Sequence, residues 1–82
     1  MDVRVYGPGC ANCKRLEQRT REALTGLGQP ADVTKVEDIG EIADAGVMRT
    51  PALGIDGDIV LQGRVPEVTE LMSLIATTLD RE

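Results

Sequence analysis

The chain has no histidine, no tryptophan and no phenylalanine, and its one aromatic residue is Tyr6. Without histidine it lacks both the commonest nitrogen ligand for metals and the usual general base near neutral pH. With only two cysteines, a closed tetrahedral zinc site would have to borrow carboxylates or a second chain. Nine Lys and Arg face fourteen Asp and Glu, for a net charge of −5, which argues against nucleic acid as a partner because phosphate recognition needs clustered cations. No run approaches the roughly 20 apolar residues of a membrane span, so no membrane partner is expected. The opening Met1-Asp2, followed by alternating Val3, Arg4 and Val5, lacks the layout of a signal peptide, and a cytoplasmic location is expected.

What is present fits one small domain over residues 1–82, expected to act as a monomer, with a core of Leu, Ile, Val, Met and Ala. Charge is uneven: residues 1–29 carry five basic against three acidic side chains, and the remainder four against eleven. The positive end holds both cysteines, Cys10 and Cys13, the direction that favours a thiolate.

Period and punctuation give the elements. Val3 to Tyr6 alternates as a strand and stops at Gly7-Pro8-Gly9. From Cys10 to Leu27, the positions Cys13, Leu16, Thr20, Ala23, Leu24 and Leu27 recur at helical spacing, and Gly26, Gly28 and Pro30 mark the end. Ala31 to Val36 reads as a second strand. Asp38 and Glu41 form a capping-box pattern for a short helix with Ile39, Ile42 and Ala43 as its apolar positions and Gly46 as its stop. Ala52–Ile55 and Ile59–Leu61 flank Asp56-Gly57-Asp58, a hairpin signal. Pro66 suits a first helical position, ahead of the stripe Val68, Leu71, Met72, Ile75 and Leu79. The order β-α-β-α-β-β-α implies an α/β fold, a partly parallel sheet covered by helices with an antiparallel hairpin at one side.

The segment carrying chemistry is Gly9-Cys10-Ala11-Asn12-Cys13, where a loop enters a helix. Residues three apart on a helix are neighbours, so a reversible disulfide is geometrically feasible, whereas a bridge closing so short a loop makes a poor structural staple. Cys13 shares the buried stripe of Leu16 and Leu24; Cys10 sits at the helix N-terminus, where unpaired amides favour an anion, and Lys14 and Arg15 follow within a turn. Cys10 is therefore expected as nucleophile and Cys13 as resolving thiol in thiol–disulfide exchange, with no bound cofactor. Thr50-Pro51 precedes an apolar strand, and spacing alone leaves its peptide bond cis or trans. The acidic run Glu37, Asp38, Glu41 and Asp44 reads as a solvated helix face, Met48 as packing, and Arg49 and Arg64 as exposed charges.

Taken together, Tyr6-Gly7-Pro8-Gly9-Cys10-Ala11-Asn12-Cys13, Gly46 to Leu53 and Gly63-Arg64-Val65-Pro66 resemble the thioredoxin superfamily in its small, glutaredoxin-sized form, the short redox-active disulfide proteins of bacteria and archaea. The resemblance implies a thioredoxin-like fold with a central four-stranded mixed sheet flanked by helices. It implies a protein-disulfide oxidoreductase; the expected partner is an electron-donor reductase of the thioredoxin-reductase kind, with a ferredoxin-linked reductase or glutathione fitting as well. It also implies that Pro51 is cis and faces the dithiol, that Thr50 offers backbone groups to an extended substrate, and that Gly9, Ala11, Asn12 and Gly63 line the substrate groove. Departures are plain: Gly9 and Ala11-Asn12 replace the Trp and Gly-Pro of the thioredoxin motif, and Gln62-Gly63-Arg64 stands where glutaredoxins carry Gly-Gly. No acid in the first strand beyond Asp2 offers itself as a buried proton acceptor, leaving Tyr6, Asn12 or water. Two other classes compete: a soft-metal carrier holding Cu(I) between the two thiols, and a non-catalytic adaptor using the dithiol as a redox-sensitive docking surface.

Overall fold

Alternation in the first segment becomes strand β1 (Val3–Tyr6), with Val3 and Val5 buried and Arg4 exposed. The computed structural model describes residues 2–29 and 31–80. After β1 come α1 (Ala11–Gly26), β2 (Val33–Val36), α2 (Ile39–Asp44), β3 (Ala52–Ile55), β4 (Asp58–Gln62) and α3 (Val68–Asp80). The strands lie in the order β2-β1-β3-β4; β1 runs parallel to β2 and antiparallel to β3, which pairs antiparallel with β4. This is the expected mixed four-stranded sheet flanked by helices.

The side-chain period of two sorts the sheet into two apolar layers. Val3, Val5, Leu53 and Ile55 pack with Leu16, Ala23 and Leu24 of α1 and with Leu71 and Ile75 of α3. Tyr6, Val36 and Ala52 pack instead with Ile42 of α2. Burying each such Leu or Ile contributes about 1.5–3 kcal/mol, and these aliphatics replace the aromatic core that the composition lacks. The one ring, Tyr6, lies across Gly54, where an added Cβ would stand 2.8 Å from its Cε2.

Glycine ends α1 and α2 in the same way. Gly28 and Gly46 have φ of +67° and +83°, and the amides of Gln29 and Val47 reach back to the carbonyls of Leu24 and Ile42. The Pro30 stop signal lies outside the described residues. Asp56 and Gly57, at φ +51° and +90°, make the two-residue turn whose centre needs positive φ at both positions.

Two expectations are corrected. Pro66 is not the first helical residue: α3 begins at Val68, and the Leu71 amide bonds to the Glu67 carbonyl. The Arg19 guanidinium, donating to the carbonyls of Val65 at 3.4 Å and Pro66 at 3.1 Å, holds that segment out of the helix and against α1. In α2 only Ile42 is buried, while Ile39 is 74% exposed, because six residues give the helix room for one inward position.

Candidate active site

At the carboxyl end of β1 the chain turns through Gly7-Pro8-Gly9 and enters α1. Gly9, at φ +89°, makes the turn that delivers Cys10 to the N-cap position. Cys10 caps the helix with sulfur, its Sγ accepting from the Cys13 amide at 3.3 Å. Both thiols are free; Cys10 is exposed and Cys13 buried. Ala11 and Asn12 are exposed on the first turn between them.

The two sulfurs are pushed in opposite directions. The Cys10 thiol is held below its ordinary range, first by a hydrogen bond from the Cys13 thiol, then by the amides of Cys13 and Asn12. Cys13 is pushed up, chiefly by burial and then by giving its thiol hydrogen to Cys10. Helix-end amides thus act as the sequence implies, but the largest cause is the second thiol, and neither Lys14 nor Arg15, both exposed, is among the causes.

Near Gly7 and Cys13 lies Thr50, in the loop ahead of β3. The Thr50–Pro51 peptide bond is cis, Pro51 is buried and Thr50 exposed. A Cβ built on Gly7 would meet the Cys13 Sγ at 2.2 Å and the Thr50 Cβ at 3.9 Å, so Gly7, Cys13 and Thr50 converge. Gly63, at φ +81°, donates its amide to the Pro51 carbonyl at 2.9 Å. Arg49 lays its stem over Gly63, and Arg64 pairs with Glu70, which lowers that carboxyl's pKa and raises the guanidinium's. Met48 does not pack: it is 88% exposed, because its backbone is tied to β4 with the side chain turned outward.

Several residues at the site had escaped the sequence reading. A cavity of about 40 Å³ beside Cys13 is lined by Val5, Gly7, Gly9, Lys14, Glu17, Lys35 and Glu37. Glu17 is largely buried and binds Arg21 at 2.8 Å and Lys35 at 3.9 Å. Its place four residues after Cys13 was the available signal, since such pairs share a helix face. Neither Gly7 nor Gln62 has a role of its own in the sequence: Gly7 stands there as loop punctuation and part of a motif, Gln62 as part of a departure from the glutaredoxin Gly-Gly. The acidic run is exposed as expected, although Glu37 also reaches Gly9. Among the described residues no cluster of three or more Cys, Asp or Glu could hold a metal ion, and no helix is long and apolar enough to cross a membrane.

A CxxC pair opening the first helix of a β-α-β-α-β-β-α fold, with a cis Thr50–Pro51 bond ahead of β3, defines a thioredoxin-type dithiol protein. Comparison with known proteins agrees. A family model described as "Thioredoxin domain" matches residues 1–76. A protein named thioredoxin from Methanothermobacter thermautotrophicus is 37% identical over 76 residues, covering 93% of this chain and 99% of the relative. One of the same name from Methanocaldococcus jannaschii is 33% identical over 78 residues, covering 95% and 90%. The chain belongs to the thioredoxin family, and it is a thiol–disulfide oxidoreductase.

Proposed function

We propose that the chain reduces protein disulfides with Cys10 as nucleophile and Cys13 as resolving thiol. The Cys10 thiolate attacks one sulfur of a substrate disulfide, forming a mixed disulfide and releasing the other sulfur as a thiolate that takes a proton from water. Cys13, losing its proton, then attacks the Cys10 sulfur; the Cys10–Cys13 disulfide forms and the second substrate thiol leaves. Two electrons pass from dithiol to substrate, and an electron-donor reductase of the thioredoxin-reductase kind restores the dithiol. The substrate lies extended along Thr50 and Pro51, over a groove edged by Gly9, Ala11, Asn12 and Gly63. The protein works as a monomer in the cytoplasm, where the thiol pool favours reduction.

The observation that carries this reading is the inequality of the sulfurs: Cys10 exposed with its pKa lowered, Cys13 buried with its pKa raised. A Cys13→Ser variant exposed to cell extract tests it. Several mixed disulfides linked through Cys10 are expected; none, or a single one, would point to an adaptor instead. A redox titration of the dithiol sorts it further: a potential of about −270 mV groups it with thioredoxins, and one of about −200 mV with glutaredoxins.

A further inference from the structure

The loop that carries Thr50 and Pro51 hangs on the end of β4 by three hydrogen bonds. Two come from one side chain: the Gln62 Oε1 accepts from the Met48 amide at 2.9 Å and from the Arg49 amide at 3.2 Å. Both partners are N–H donors, so the atom facing them must be the amide oxygen. The third runs from the Gly63 amide to the Pro51 carbonyl at 2.9 Å. Arg49 closes the arrangement by lying across Gly63, where a Cβ would be 3.0 Å from its Cδ. Residues 48 and 49 on one side of Thr50 and Pro51 on the other are therefore fixed to two successive residues, Gln62 at the end of β4 and Gly63 just after it.

Building on the proposed function, we infer that Gln62 is a positioning residue for protein substrates, its side-chain carbonyl clamping Met48 and Arg49 so that the Thr50 edge is presented to an extended polypeptide. A peptide that pairs with this edge needs backbone groups already in place, because a loop free to turn must be ordered during binding. A small aromatic disulfide that meets only Cys10 has no such requirement. Gln62, Met48 and Arg49 are all exposed, so water can replace the lost bonds and the fold tolerates their removal.

The test compares wild type with Gln62→Leu, which keeps the bulk and removes the acceptor, and Gln62→Glu, which keeps an acceptor oxygen. Each is assayed on insulin disulfides and on 5,5′-dithiobis(2-nitrobenzoic acid). The expected result for Gln62→Leu is a selectivity for insulin over the small disulfide, as a ratio of kcat/KM values, about tenfold below wild type and expressed mainly in KM; for two modest hydrogen bonds that size is reasonable. Gln62→Glu should restore the ratio. If Leu prevents folding, Gln62→Ala supplies the same comparison. An unaltered ratio, or an equal fall in the Leu and Glu variants, overturns the inference while leaving the proposed function standing. Wild type unable to reduce insulin overturns the proposed function itself, and the inference with it.

Discussion

Gly7 and Cys13 share one volume: where a Cβ on Gly7 would stand, the Cys13 sulfur is 2.2 Å away and its Cβ 3.0 Å. The buried thiol occupies the space that a bare backbone leaves open. Gly7→Ala is therefore expected to cost about 1–3 kcal/mol through overpacking, read as a lower urea midpoint. Combining it with Cys13→Ala removes the nearest clashing atom, so the cost should shrink in the double variant. Equal costs in both backgrounds would mean that the sulfur is not the obstacle.

The opposed pKa directions predict which thiol reacts and how each responds to pH. Cys10 is lowered mainly by the Cys13 thiol, so in Cys13→Ala the midpoint of its iodoacetamide alkylation curve should move up, yet stay below that of an ordinary thiol, because the residue-13 amide still donates. Linkage has opposite signs at the two positions. The Cys10 contribution is present above the unfolded thiol pKa and lost as pH falls through the lowered folded value. That of Cys13 is present below the unfolded pKa and lost as pH rises through its raised one. A midpoint that does not move in Cys13→Ala would remove the thiol–thiol hydrogen bond from the account.

Much of this arrangement was legible because strong local signals agreed with the fold. Leu16, Thr20, Ala23 and Leu24 show helical period and are buried together; Asp56-Gly57 demands its turn whatever surrounds it. Cys10 and Cys13 announce themselves by spacing and place. What the sequence did not disclose depends on tertiary approach. Gly7 matters because α1 brings a sulfur against it, Gln62 because a loop from before β3 folds back onto β4, and Met48 is exposed because that bond fixes its backbone. Pro66 obeys its long-range contact with Arg19 over its own preference for a helix start.

The hairpin turn should be separable from the chemistry. Gly57 has φ +90° with open space around its missing Cβ, so Gly57→Ala meets backbone strain rather than a clash. The left-handed conformation costs a residue with a Cβ about 1–2 kcal/mol. The urea midpoint is expected to fall accordingly, while the rate of Cys10 alkylation at fixed pH stays at the wild-type value. A changed alkylation rate would show that the β3–β4 turn influences the dithiol.

Arg19 makes the last case, because it ties α1 to the start of α3. Its guanidinium donates to the carbonyls of Val65 and Pro66 and lies 3.8 Å from the Glu67 carboxylate. The ion pair is exposed on the Glu67 side, so its direct share is small, in the range of about 0–1 kcal/mol. Hydrogen bonds from a charged donor are worth about 1.5–3 kcal/mol, and these two fix the segment that leads into the helix carrying Leu71 and Ile75. Arg19→Met keeps the aliphatic stem and removes the donors. It should lower the urea midpoint appreciably and speed amide exchange in the first turn of α3 before that of α1, whereas Glu67→Gln should do little. If Glu67→Gln matched Arg19→Met, the salt bridge rather than the carbonyl contacts would be what anchors the helix.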